Sequence, residues 1–179
     1  VAFGQGYSLT AMQATSVFAT IANDGVRVAP TLIAGITDAG GRFSPNESRK
    51  SERIISSQTA SQLSAMMESV VSSSGTAPQA AISGYRVAGK TGTARRIDDS
   101  CGCYRGYTSS FIGFAPADNP KYVASVTIQD PKGVYYGGYL GGPVFSEVMG
   151  FVLRDQRIAP SAEVTVGYAL NERELKKKS

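Results

Sequence analysis

One lysine, two threonine hydroxyls and two glycines lie together in Val87-Ala88-Gly89-Lys90-Thr91-Gly92-Thr93-Ala94. A cation beside two short hydroxyl donors suits gripping a carboxylate and a carbonyl at once. Small and apolar residues alternate here and β-branched residues are frequent, which predicts a strand over Tyr85–Ala94. On a strand, Thr91 and Thr93 point to the same face. Gly92 leaves the backbone bare, so a second peptide can lie against it and pair.

Gly84–Thr91 also fits the phosphate-loop pattern of glycine, four residues, then Gly-Lys-Thr. That pattern needs a buried strand before its first glycine and a helix opening at the lysine. Ala80-Ala81-Ile82-Ser83 makes a poor buried strand, Tyr85 and Val87 favour extended backbone, and Thr-Gly-Thr is a bad helix start. Val126–Asp130 could pose as an acidic, magnesium-holding strand, but strands ending in Asp are common. A strand carrying Lys90 fits these residues better than a nucleotide loop.

The chain contains no histidine, which removes Ser-His-Asp and Cys-His catalysis and most zinc sites. Any nucleophile would need a lysine or carboxylate as its base. Cys101-Gly102-Cys103 is too short a cluster for a metal cage. It reads either as a pair of loop thiols or as a tight local disulfide, and neither is catalytic. No metal site and no cofactor are expected.

The elements that must position Lys90 are legible in outline. Thr10 with Gln13 forms a capping box, and Ala14, Val17, Phe18 and Ile21 follow at helical spacing up to Asn23-Asp24-Gly25. Val26–Thr37 reads as extended, Asp38–Glu52 as a turn and exposed loop, and Arg53-Ile54-Ile55 as a short strand. Ser56 or Ser57 caps a second helix with a stripe of Leu63, Met66, Met67, Val70 and Val71, the two methionines filling core. Ser72–Gly75 ends it, and Thr76–Ile82 is a short connector. After the Lys90 strand, Arg95–Thr108 reads as a polar loop. Ser109–Ala115 and Tyr122–Gln129 form a hairpin. Gly133–Gly142 reads as a glycine-rich loop, with Pro143 at the first position of a third helix. The order predicts an α+β fold, with helices on a mostly antiparallel sheet.

The 179 residues, 42% hydrophobic and 18% charged, suit one globular domain with a core of ordinary size. The net charge of +4 owes part of its value to Lys176-Lys177-Lys178, a solvated end, so no nucleic-acid partner is expected. No apolar run approaches the ~20 residues of a membrane span, and no signal peptide is visible. The start at Val1, without methionine and inside a glycine-rich motif, reads as a piece of a longer protein. Any membrane anchor would lie in the preceding part.

Lys90-Thr91-Gly92, placed on a strand before a hairpin, resembles the third element of the Ser-x-x-Lys, Ser-x-Asn, Lys-Thr-Gly set of penicillin-binding proteins and serine β-lactamases. Gly4-Gln5-Gly6-Tyr7-Ser8-Leu9-Thr10, Arg86–Ala94, and Tyr136-Gly137-Gly138 followed by Gly142-Pro143-Val144-Phe145 recur in that order. Together they resemble the C-terminal part of a class B penicillin-binding protein transpeptidase domain of the septal cell-division type. The likeness spans residues 1–160, with 161–179 a peripheral tail. No serine has a lysine three residues later, so the nucleophile and its base are absent. Ser44-Pro45-Asn46 fits Ser-x-Asn formally but lies after the Gly-Gln-Gly motif, which the family places later, and is taken as coincidence.

The resemblance implies a partial penicillin-binding, β-lactamase-like fold and serine acyl transfer on D-alanyl-D-alanine stem peptides, with β-lactams acylating the same serine. Lys90 and Thr93 would be catalytic, Lys90 by its charge and Thr93 by an oxyanion-hole N–H. Thr91, Gly92, Thr93, Arg95, Tyr135 and Tyr136 would bind substrate, the hydroxyls on its carboxylate and the tyrosines as an aromatic wall. Cell-division proteins would be partners, at the extracytoplasmic face of the bacterial cell membrane. A β-lactamase, a β-lactam sensor domain or a non-catalytic interaction module are the alternatives.

Overall fold

Thr10 opens the first helix as predicted. Its Oγ1 accepts the Gln13 amide at 3.1 Å while Gln13 Oε1 accepts the Thr10 amide at 2.9 Å, so two orphaned helix-end donors are satisfied. Helix α1 runs Ala11–Ala22, and α2 runs Ser57–Ser69 with Ser56 as its cap. Two short antiparallel ladders lie between them. β1 (Val26–Val28) pairs with β4 (Ser51–Arg53), and β2 (Gly35–Thr37) with β3 (Phe43–Pro45). These coordinates are a computed structural model describing residues 5, 6, 8–46 and 50–161. Val1–Gly4, Tyr7 and the tail from residue 162, with Lys176-Lys177-Lys178, lie outside the described residues.

β5 (Ala88–Asp98), β6 (Cys103–Ala115) and β7 (Tyr122–Gln129) form the main antiparallel sheet in that spatial order. Strand alternation divides its side chains between two layers. Phe111 and Ala115 turn to one face and pack with Phe145, Met149 and Leu153 of α3 (Gly137–Asp155). Ala88 and Phe114 turn to the other, against Met67 of α2 and Phe18 and Ile21 of α1. Helices thus cover both faces of an antiparallel sheet, the α+β arrangement expected.

Several boundaries differ from expectation for physical reasons. β5 begins at Ala88, not Tyr85, because Tyr85 turns back to bridge Ile82. Arg95–Thr108 is no loop. β5 continues to Asp98 and β6 starts at Cys103, so the polar stretch is a two-stranded arm on which Arg95 and Arg105 are exposed and Arg96 is half-buried. Asp98 Oδ1 accepts the Ser100 amide at 3.0 Å to make its turn, and Cys101 and Cys103 are joined in a disulfide. Asp38–Glu52 likewise contains β3 and the start of β4, and the short strand is Ser51–Arg53 rather than Arg53–Ile55. Of the methionine pair only Met67 is core; Met66 is 61% exposed.

The largest departure is at α3. Glycine's weak helix propensity predicted a loop to Gly142, yet the helix starts at Gly137 and Pro143 lies inside it. Close packing overrides propensity here. A Cβ on Gly137 would run into the Ser110 and Gly92 carbonyls, and one on Gly138 into the Thr76 carbonyl. Interior proline costs about 3 kcal/mol. Burying Phe145, Met149 and Leu153, each worth about 1.5–3 kcal/mol, outweighs it.

Candidate functional site

β5 is the edge strand, with β6 on one side and no strand on the other among the described residues. Two hydrogen bonds fix which of its peptide groups face outward. The Arg95 N–H donates away from the sheet to Gln5 Oε1 at 2.8 Å. Its rung partner Tyr107 gives its carbonyl to the Asp130 amide at 2.8 Å, on the β7 side. Arg95 and Tyr107 therefore exchange no bonds with each other. Bonded and non-bonded rungs alternate in an antiparallel pair. The Thr93–Ser109 and Thr91–Phe111 rungs are then also non-bonded, and the N–H and C=O of Thr91 and Thr93 project from the free edge.

Lys90 agrees with that orientation. Its Nζ reaches around the edge to the Thr91 carbonyl at 3.0 Å and lies 3.5 Å from Thr91 Oγ1. It is exposed, and the ion pairs among the described residues do not include it. Its charge is therefore available to a ligand anion. Thr91 Oγ1 lies 3.4 Å from Thr76 Oγ1. Thr93 Oγ1 accepts the Gly137 amide at 3.2 Å, which leaves its own hydrogen free to donate elsewhere. Gly92 turns to the opposite face, where a Cβ would stand 2.5 Å from Ser110 Oγ.

The start of α3 is stapled over this rung. Buried Ser109 donates its Oγ hydrogen to the Tyr135 carbonyl, and Gly137 is held by Thr93. Tyr135 is thus set over β6, and Tyr136 next to the Gly137 that Thr93 holds. Tyr135 stacks on Tyr107 with centroids 4.0 Å apart, and the Tyr136 ring lies tilted by 35° at 4.7 Å. The hydrogen bond with Tyr136, then the charges of Tyr136 and Tyr107, raise the Tyr135 phenol above its ordinary value. It stays neutral, an aromatic surface rather than a base. The Arg95 guanidinium lies 5.5 Å over the Tyr104 ring, along the arm.

The structure therefore brings Lys90, Thr91 and Thr93 to one edge, with Gly92 turned to the opposite face, sets Tyr135 over β6 and Tyr136 next to the Gly137 that Thr93 holds, and points Arg95 toward the arm. Sequence reasoning missed Thr76, Tyr107 and Ser109. The signal for Tyr107 and Ser109 is register, which needs the β5–β6 pairing to be known, and that for Thr76 is its tertiary contact with Thr91. Gln5 was visible in its motif but without a role. Lys90 lies on a strand and not at a helix opening, which removes the phosphate-loop alternative. Ser44-Pro45-Asn46 sits in the separate β2–β3 ladder. Among the described residues no cluster of His, Cys, Asp or Glu could hold a metal ion, and no helix is long and apolar enough to cross a membrane.

Residues 1–150 match the family model of the penicillin-binding protein transpeptidase domain. Penicillin-binding protein PbpB of Mycolicibacterium smegmatis is 39% identical over 170 residues, covering 89% of this chain and 26% of that protein. The peptidoglycan D,D-transpeptidase FtsI of Escherichia coli is 36% identical over 164 residues, covering 91% of this chain and 26% of that protein. Among solved structures, penicillin-binding protein 3 of Mycobacterium tuberculosis in complex with aztreonam superposes with a TM-score of 0.80 at 34% identity, covering 92% of this chain and 39% of the other. The chain spans about a quarter of the length of these two curated relatives.

Proposed function

Because the chain belongs to the penicillin-binding protein transpeptidase family, we propose that it supplies the strand wall of a peptidoglycan D,D-transpeptidase site. The reacting serine belongs to a portion of the protein outside these 179 residues, since no serine here has a lysine three residues on. The observation that carries this reading is the free edge of β5, where the Thr93 N–H and C=O face outward and the Lys90 ammonium sits on the Thr91 carbonyl two rungs away.

The substrate is a D-alanyl-D-alanine stem peptide laid along that edge. Its terminal carboxylate meets the Lys90 charge and the Thr91 and Thr93 hydroxyls. Its penultimate carbonyl points at the Thr93 N–H. Serine attack transfers the carbonyl electrons to oxygen, and the Thr93 N–H and the serine's own N–H share that charge. Collapse expels D-alanine with a proton on its nitrogen. An amine from a second stem then attacks the ester, returns the proton to the serine and leaves a crosslink. A β-lactam places its ring carbonyl in the same position and acylates the same serine, and Tyr135 and Tyr136 flank its side chain.

The site works at the extracytoplasmic face of the bacterial cell membrane, with septal cell-division proteins as partners. A fluorescent penicillin tests the proposal. The full-length protein labels covalently, and the 179-residue chain alone does not. Labelling of the isolated chain overturns the assignment of the nucleophile. Turnover of penicillin without crosslinking by the full-length protein favours a hydrolase or sensor instead.

A further inference from the structure

The free edge of β5 ends at a definite point, and the group that ends it comes from 90 residues earlier in the sequence. Gln5 precedes Gly6, whose φ is +115°. Its Oε1 accepts the Arg95 N–H at 2.8 Å, two residues along the same edge from the Thr93 N–H. At the other end the Lys90 ammonium occupies the Thr91 carbonyl at 3.0 Å. Between these two caps, the Thr93 N–H and C=O form an outward pair to which no other described group bonds.

We propose that Gln5 is a positioning residue that ends ligand pairing at Thr93 and so selects acyl donors that make one backbone pair with β5 and then leave the strand. This rests on the acyl-transfer reading above. With the ligand carboxylate at Lys90 and Thr91 and the reacting carbonyl at the Thr93 N–H, the acyl chain runs antiparallel to β5 toward Arg95. A donor that continued along the edge would next seek the Arg95 amide, which Gln5 already holds. Displacing Gln5 exchanges one hydrogen bond for another, so extension gains nothing. The Gln5 side chain also stands where the added peptide would run.

The test uses the full-length protein and two thioester donors with the same D-alanine-like leaving group. One ends its acyl chain at the residue paired with Thr93, and the other continues for two more backbone residues. The readout is the ratio of their kcat/KM values, extended over short. Gln5→Leu raises that ratio roughly three- to tenfold, the worth of one net hydrogen bond. Gln5→Glu keeps an acceptor oxygen and restores the wild-type ratio. Gln5→Asn, one methylene too short to reach, behaves like Gln5→Leu, so the prediction survives poor folding of either variant. Arg95 amide exchange accelerates in Gln5→Leu and Gln5→Asn and not in Gln5→Glu. A ratio unchanged in both Gln5→Leu and Gln5→Asn, including equal loss on both donors, overturns the proposal. A wild-type protein that neither donor acylates overturns the acyl-transfer reading itself, a separate and recognisable failure.

Discussion

At the scale of single residues, the proposed site divides its work between Lys90, for charge, and Thr93, for direction. In the proposed site Lys90 contributes a cation with no carboxylate partner among the described residues, and its effect on substrate would be electrostatic. Replacing it with methionine keeps the stem and removes the charge. Acylation of the full-length protein by penicillin is expected to fall on the order of 100-fold, as for other losses of preorganised charge stabilisation. Thr93→Val keeps the backbone N–H and the β-branched shape and removes only Oγ1. Hydrogen bonds to charged groups are worth about 1.5–3 kcal/mol, so acylation falls roughly 10- to 150-fold. A stopped-flow measurement of penicillin acylation checks both. A Thr93→Val protein that acylates at the wild-type rate would show that its hydroxyl serves only Gly137.

At the scale of elements, the α3 start and the α1–β1 turn make separate predictions. Gly137 meets the backbone of β5 and β6 so closely that a methyl group has no room. Gly137→Ala is therefore expected to destabilise the fold by about 1–3 kcal/mol, as overpacking does, and to lift α3 and Tyr136 away from Thr93. Denaturant unfolding together with penicillin acylation measures both effects. In the turn after α1, the Ser57 hydroxyl bonds Asp24 Oδ2 at 2.7 Å and Arg53 lies at 3.3 Å. That hydrogen bond first, then Arg53, holds the Asp24 carboxyl below its ordinary value of 3.8. The folded state binds this proton less readily than the unfolded chain. Its stabilising share is therefore full above the ordinary value and fades as pH falls through the lowered one. Asp24→Asn is expected to flatten the pH dependence of the thermal midpoint in that acid range and not near neutrality.

The same elements show what the sequence made legible. The capping box, a serine cap at 56 or 57 and the Ser109–Gln129 hairpin rest on local chemistry and were readable, the structure placing the cap at Ser56. The arm at Arg95–Thr108 and the glycine run at the head of α3 were misread. Their structure comes from partners distant in sequence. The arm is held by rungs such as Ile97–Tyr104, and the glycines are demanded by Ser110 and Thr76. The site followed the same rule. Lys90, Thr91 and Thr93 of the candidate site announce themselves by type and spacing, whereas Ser109 acquires meaning only through strand pairing and Thr76 only through its contact with Thr91.

At the scale of the whole molecule, α1 and the short ladder beside it leave apolar surface in water. Met12 is 56% exposed, Val17 54% and Ile54 51%, around a groove of about 380 Å³. Contiguous exposure of this kind binds apolar probes and promotes association. The isolated chain is expected to enhance the fluorescence of an anilinonaphthalene dye. Met12→Glu with Val17→Glu should diminish that signal and move the thermal midpoint by only a few degrees, because neither side chain is core. A drop of tens of degrees would place both residues in the packing that holds α1.

In the proposed site a ligand adds itself to the edge of β5 at Thr93. Amide hydrogen exchange on the full-length protein, before and after acylation with benzylpenicillin, tests it directly. The Thr93 amide should exchange freely at first and at least tenfold more slowly once acylated, while the Arg95 amide, already held by Gln5, changes little. An unaltered Thr93 amide in a fully acylated protein would contradict the account.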